Sequence, residues 1–412
     1  MNYTQTGHKL VRNITNVKGF KCWGAHTGIK SLRRDLAIIY SEKPCAASAT
    51  FTQNDLAAAP IVLSRKHIKG NMAQAIVINA GNANAGTGKE GYKGAEAMAQ
   101  TLANELKIDK KLVLVASTGV IGEPFPTDEI VEGIKVNAKK ISTSRKAGTL
   151  AANAILTTDT FAKEGHTCFT IKNREINIAG IAKGSGMIHP NMATMLAFIF
   201  TDVSIDKKLL DRTVKFLVKK TFNMITVDGD TSTNDMVAVL ANGMAGNKTI
   251  TSQTDPDFKK FREHLEEVMV HLAQLIVSDG EGATKFIEYR VIRVKNETIA
   301  RKLVRAISGS LLVKTAMFGR DPNWGRIVAA AGNGGVNFDI NKVDLFIGDA
   351  KTQEQVLRHG SPLEMNKNRL KKLLRNSHIS IRMEVNTGKA EAIGWGTDIS
   401  TDYVLFNSVY TT

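Results

Sequence analysis

The chain has 412 residues, more than one hydrophobic core usually organises, so two domains or two interleaved halves are expected. Apolar residues make up 43% and charged residues 23%, which excludes a disordered chain. Apolar runs such as Met195 to Phe200 fall far short of the roughly 20 residues that a bilayer-spanning helix needs, so no membrane association is expected. The stretch from Met1 to Lys9 lacks an apolar signal core, and a cytoplasmic location is expected. Cys22, Cys45 and Cys168 are widely spaced without a CxxC pair, which argues against a disulfide framework or a zinc site and for reduced core cysteines. The 55 basic against 39 acidic residues give +16, but pairs such as Lys207-Lys208, Lys219-Lys220 and Lys371-Lys372 are spread over helical stretches. With no basic tail or aromatic-interleaved stripe, they read as solvated helix faces and not as a nucleic-acid surface.

In chain order, strands are expected at Ala75 to Asn79, Leu112 to Ala116, Ile176 to Ile181, Met195 to Thr201, Met236 to Ala241, Tyr289 to Val294, Val343 to Ile347 and Ile379 to Val385. Helical spacing of apolar and small residues marks Gly94 to Leu106 and Asp257 to Val277, the latter with Thr254 and Pro256 as start signals. The alternation defines an α/β protein with mixed sheets. It is too irregular, and its C-terminal third too meander-like, for a barrel of eight βα units.

Several motifs carry chemistry. Ser117-Thr-Gly-Val-Ile-Gly122 follows an apolar strand and reads either as a plain glycine turn or as a strand end offering N–H groups and a hydroxyl to an oxyanion. Lys183-Gly-Ser-Gly-Met-Ile-His-Pro-Asn-Met-Ala-Thr-Met-Leu196 is a glycine-loosened, proline-bent loop that delivers Thr194 to the edge of an apolar run. A threonine hydroxyl needs a base beside it, and cleavage of the Ala193–Thr194 bond would supply one in its own α-amine, with an ordinary pKa of about 8. Ala193 is small enough to let the hydroxyl reach its carbonyl. The dipeptide itself is not specific, since Ala49-Thr50 and Ala283-Thr284 repeat it. Asp228, Asp230, Ser232 and Asn234 imitate the start of a calcium loop, but Thr233 and Val239 stand where glycine and glutamate belong, so no metal is expected. Gly184-Ser-Gly, Gly332-Asn-Gly-Gly and Gly86-Thr-Gly-Lys-Glu complete no nucleotide-binding fingerprint. His189 reads as a turn residue, and the nine histidines form no triad pattern.

Taken whole, the Lys183–Leu196 loop resembles the processing motif of the ornithine acetyltransferase family, also called bifunctional glutamate N-acetyltransferase. Seven further blocks resemble that family in order: Asn79-Ala-Gly-Asn-Ala-Asn84, Ser117 to Gly122, Thr157-Thr-Asp-Thr160, Asp228-Gly-Asp-Thr-Ser-Thr-Asn-Asp235, Asp279-Gly-Glu-Gly-Ala-Thr-Lys285, Gly319-Arg-Asp-Pro-Asn-Trp-Gly325 and Asn407-Ser-Val-Tyr-Thr-Thr412. The resemblance implies a self-processing N-terminal-threonine fold with mixed sheets layered between helices. It implies self-cleavage into a small subunit, 1–193, and a large one, 194–412, which stay associated as a heterotetramer of two small and two large subunits.

It further implies that Thr194 is the nucleophile, that Thr118 and Gly119 form an oxyanion hole, and that Thr157, Lys183, Thr194, Glu281, Asn407 and Thr412 bind small amino-acid substrates. Read alone, Lys183 is a solvated loop lysine and Glu281 a turn carboxylate between two glycines. The implied Lys183 pairs with a substrate carboxylate and Glu281 with the ammonium end of ornithine. The implied reaction carries acetyl from N²-acetyl-L-ornithine to L-glutamate through an acetyl-threonine, in arginine biosynthesis and without a metal or bound organic cofactor. Three alternatives stand: acetyl-CoA as an additional co-substrate, a self-processed aminopeptidase of similar architecture, and a basic nucleic-acid-binding protein.

Overall fold

The computed structural model describes residues 12–189 and 195–409. Ala193, Thr194 and Thr412 therefore lie outside the described residues. The strands are β1 (Phe20–Ala25), β2 (Leu36–Phe51), β3 (Met72–Asn82), β4 (Val113–Val120), β5 (Lys163–Ile171), β6 (Arg174–Lys183), β7 (Leu196–Thr201), β8 (Ile225–Thr226), β9 (Met236–Ala241), β10 (Phe286–Val294), β11 (Asp344–Asp349), β12 (Gln353–Arg358), β13 (Ser361–Pro362), β14 (His378–Glu384) and β15 (Ala390–Thr397). They build two mixed sheets. The first runs β4-β3-β2-β9-β7-β6-β5 with β1 added on β2, and the second runs β13-β12-β11-β14-β10-β15-β8.

Side-chain alternation shows why the first sheet is buried on both faces. Ala37, Ile39, Ile76, Ile78, Leu196, Phe198 and Phe200 share a core with Ala147, Ala151 and Ala154 of the helix Arg145–Ala154. Their neighbours Leu36, Ile38, Ala75 and Val77 pack instead on the helices Gly88–Leu106 and Thr127–Ala138. Further along that second face, Ala197 and Ile199 meet the helices Lys207–Val218 and Pro256–Ser278. Strands buried on both sides carry near-continuous apolar runs, which is why β3, β7 and β9 were legible.

The helix Pro256–Ser278 runs one residue beyond the expected Asp257 to Val277 at each end, and its cap is Asp255 and not Thr254. Asp255 caps it by accepting from the Asp257 N–H, Pro256 occupies the first turn, and Phe258, Phe261, Leu265, Met269, Leu272 and Ile276 then form its buried stripe. Its end hands the chain to Asp279 and Glu281.

The second sheet buries Ile287, Tyr289, Val291, Leu345, Ile347, Ile379 and Ile381 against the helix Glu297–Gly309. The meander expected in the C-terminal third is confined to β11–β13. Three helices, Glu297–Gly309, Leu311–Phe318 and Trp324–Gly332, separate β10 from β11, so β10 can pair in parallel with β14. Cys22 and Cys45 are buried as expected, but Cys168 is exposed, because it falls on the outward side of β5, a strand at the edge of its sheet.

Strands from either side of residue 194 interleave in the first sheet. β2 pairs with β9, and β6 pairs with β7 in an antiparallel ladder joined through the loop that holds Ala193 and Thr194.

Candidate active site

β4 and β6 end at one cleft. Thr118, Gly119, Thr157, Lys183, Glu281 and Asn407 all line it, so six of the expected site residues, distant in sequence, converge. Met195, the neighbour of Thr194, lines the same cleft.

The strand β4 does not turn at Gly119 as the sequence suggests. It continues to Val120 in register with β3, with a bulge at Gly81 and Asn82. Gly119 has φ +134°, and a Cβ there would lie 2.3 Å from the Gly81 carbonyl carbon. Glycine is demanded by backbone crowding and a left-side φ together, and Thr118 is thereby held at the cleft wall. Ser117 donates to Asn79 Oδ1 at 2.5 Å, while Asn234 Nδ2 donates to the carbonyls of Ser117 at 2.8 Å and Ala83 at 2.6 Å. These bonds fix the floor on which Thr118 stands.

Lys183, at the end of β6, is not a solvated loop lysine. It is 8% exposed, and its ammonium donates to Thr118 Oγ1 at 3.3 Å. Because the ammonium occupies a lone pair of that oxygen, the Thr118 hydroxyl hydrogen is free to point into the cleft. Burial lowers the Lys183 pKa and the nearby Lys163 adds to this, while Asp159, Glu281 and Asp235 oppose it.

Beneath Lys183 lies a buried ionic network. The fully buried Lys163 donates to Asp159 Oδ1 and to Asp279 Oδ2, both at 2.6 Å. Asp159 Oδ1 also accepts from the Gly184 N–H at 2.7 Å, and its Oδ2 from the Thr157 N–H at 3.0 Å. Asp279 accepts from the Thr160 N–H and hydroxyl, and its carbonyl accepts from Ser185 Oγ at 2.6 Å. Burial would raise the Asp159 carboxyl, but Lys183 and Lys163 hold it down at about 2. The network ties the Thr157 segment, the Lys183 loop and the Glu281 turn into one body.

Glu281 lies on a turn whose N–H donates to the Ser185 carbonyl at 3.0 Å. Its carboxylate packs so closely on Gly186 that a Cβ there would fall 2.2 Å from Oε2. Asn407, on the helix Thr401–Val409, donates to Glu281 Oε2 at 3.1 Å. Tyr403 of the same helix also lines the cleft, and burial together with Asp228, Asp230 and Glu281 raises its pKa, keeping the phenol protonated.

Asp228 also lines the cleft and grips the segment after Lys183, accepting from the Met187 N–H at 2.6 Å and the Ile188 N–H at 2.9 Å. Its carboxylate thus serves the backbone of that loop. Among the described residues there is no group of three or more His, Cys, Asp or Glu placed to hold a metal ion. His189 bonds Thr226 Oγ1 at 3.0 Å through Nδ1, and burial with the nearby Arg305 and Lys314 lowers its pKa to about 4, so it is neutral near pH 7.

Sequence reasoning did not single out Asp159, Lys163, Asp228 or Tyr403 as site residues. Asp159 and Asp228 fall inside the blocks Thr157–Thr160 and Asp228–Asp235, so the blocks held a signal. Lys163, between Ala162 and Glu164, gives none.

This arrangement of hydroxyls, buried ammonium and paired carboxylates beside Met195 is a polar cleft suited to acyl transfer between amino acids. The sequence model of the ArgJ family matches residues 21–412, and the chain belongs to that family, acetyltransferases of arginine biosynthesis. It is 49% identical over 395 residues to the arginine biosynthesis bifunctional protein ArgJ of Caldanaerobacter subterraneus subsp. tengcongensis, covering 96% of this chain and 97% of that protein. It is 45% identical over 401 residues to ArgJ 1 of Clostridium acetobutylicum, covering 97% of each. Among solved structures, ornithine acetyltransferase complexed with ornithine from Mycobacterium tuberculosis aligns at 31% identity and a TM-score of 0.40, over 44% of this chain and 96% of that one.

Proposed function

We propose that the chain cleaves itself between Ala193 and Thr194 and then transfers acetyl from N²-acetyl-L-ornithine to L-glutamate. The observation that carries this reading is the convergence of Thr118, Gly119, Thr157, Lys183, Glu281 and Asn407 on one cleft, with Met195 in its wall. In the precursor, Thr194 Oγ attacks the Ala193 carbonyl, the peptide becomes an ester, and water hydrolyses it to leave subunits 1–193 and 194–412. The ladders β2–β9 and β6–β7 would hold the two pieces together after the break. The expected assembly is a heterotetramer of two small and two large subunits in the cytoplasm.

In the mature enzyme the freed α-amine takes the Thr194 hydroxyl proton as Oγ attacks the acetyl carbonyl. Thr118 and Gly119 face the developing oxyanion, and the amine returns the proton to the leaving ornithine. Glutamate then attacks the acetyl ester and regenerates the hydroxyl. The ester stores the acyl group, so the sequence of steps requires no metal or bound organic cofactor. Lys183 pairs with the substrate carboxylate, Glu281 with the ammonium of ornithine, and Thr157, Asn407 and Thr412 complete the binding set. Acetyl-CoA as a second donor to glutamate is a further reading, favoured by relatives that are named bifunctional. Assaying N-acetylglutamate formation with each donor in turn decides between them, and free acetate without that product would sink both.

Thr118→Ala should lower kcat by about 10²-fold with KM largely kept, since it removes one oxyanion donor; steady-state kinetics check this, and an unchanged rate would exclude the role. Lys183→Ala should raise KM for both amino acids through their shared carboxylate, because an ammonium already desolvated in the cleft loses little more on binding. Unaltered affinity would remove Lys183 from carboxylate recognition.

A further inference from the structure

On the far side of the Thr157–Thr160 segment lies a second cavity, of about 700 Å³. Its wall carries Arg33, Arg34, Lys140 and Lys146, with Trp23 among its apolar lining. Among the described residues Asp159 is the only carboxylate lining it, and that group is already held by Lys163 and the Gly184 N–H. Asp35, next in sequence, is buried, where it accepts from Thr27 and from the Lys30 N–H and meets Nδ1 of the lining His26 at 3.2 Å. Arg33 reaches only carbonyl oxygens, those of Asp159 at 3.2 Å and Thr157 at 3.4 Å. Lys140 bonds the neutral Asn137 side chain at 3.2 Å.

Four cationic side chains thus line one concave space, and the two carboxylates nearest them, Asp159 and Asp35, are already engaged by Lys163 and by Thr27 and His26. Such a space focuses a positive potential that a monocarboxylate would not neutralise. Guanidinium forks match phosphate oxygens in pairs. The concavity suits a small molecule and not a flat macromolecular surface.

We infer that this cavity is a binding site for a small molecule bearing a diphosphate group, seated on Arg33, Arg34, Lys140 and Lys146. Its position gives it a route to the active cleft. Arg33 donates to the carbonyls of Thr157 and Asp159, so a phosphate that recruits this guanidinium competes for the donors that hold the segment carrying Thr157. The inference is independent of the acyl-transfer reading, because it is tested by binding alone.

Isothermal titration of the full-length protein with inorganic diphosphate and with ADP, at low and at high salt, tests it. Saturable one-to-one binding that weakens with salt is expected. The double variant Lys140→Glu/Lys146→Glu changes two exposed side chains and should weaken that binding by at least about tenfold, as lost charge-assisted bonds would, with acetyl transfer in the absence of added anion unchanged. ADP binding more tightly than diphosphate would assign a nucleotide; equal binding of the two would assign the inorganic anion. Absence of saturable binding at low salt, or undiminished binding by the double variant, would overturn the site.

Discussion

Thr194→Ala should yield a single uncut chain of 412 residues, 44.8 kDa, with no measurable acetyl transfer. The two losses have one origin. Without the hydroxyl there is no attack on the Ala193 carbonyl, and without the break there is neither a free α-amine to act as base nor an alcohol to carry acetyl. Denaturing mass analysis reads the first loss and N-acetylglutamate formation the second. Thr194→Ser separates them from misfolding, because it keeps a hydroxyl at the same position and should restore cleavage. A Thr194→Ala protein that is cut normally, or that transfers acetyl as one intact chain, would end the reading.

The second large effect concerns stability. Lys163→Ala should destabilise the fold by about 3–5 kcal/mol, the cost of leaving buried charge without its partner. Lys163 is wholly buried between Asp159 and Asp279, so its loss sets two buried carboxylates against each other with no ammonium between them. Lys163→Met, which keeps most of the side-chain volume, should be nearly as damaging, whereas a packing effect would be relieved by it. Urea unfolding in the uncut Thr194→Ala background measures both as one chain. The pH dependence has a definite sign. Asp159 is lowered from 3.8 to about 2 in the folded protein, so its contribution is present above the unfolded value and is lost as pH falls through about 2. With Lys163 gone, Lys183 and the Gly184 N–H still hold that carboxyl down, but less strongly, and the acid-side loss should become shallower.

The same network explains why a lysine can be both buried and useful here. Asp159, Gly184 and Thr157 are linked through one carboxylate, and Asp279 links Thr160 to Ser185, so the residues around the cleft move together or not at all. Removing Lys163 is therefore expected to loosen Thr157 and Lys183 as well as to weaken the fold.

The sequence by itself, through its resemblance to a family, pointed to the chemistry, and it determined much of the scaffold. A run buried on both faces has to be apolar throughout, so β3, β7 and β9 announced themselves, and the glycine-bent Lys183–Leu196 loop marked where a threonine meets a strand. β5 and β12, whose outward positions are polar, carried no such run and were not legible, and β2 was missed as well, its apolar start Leu36–Ile39 giving way to the exposed Glu42-Lys-Pro44. Only the tertiary structure decided that Gly119 stays in the strand, since the crowding comes from Gly81 across the ladder. Only it decided which lysines are solvated: Lys207 and Lys371 are, while Lys163 and Lys183 are buried beside carboxylates and hydroxyls from distant segments. Charge in a sequence is local, but the partners that make its burial tolerable are assembled by the fold.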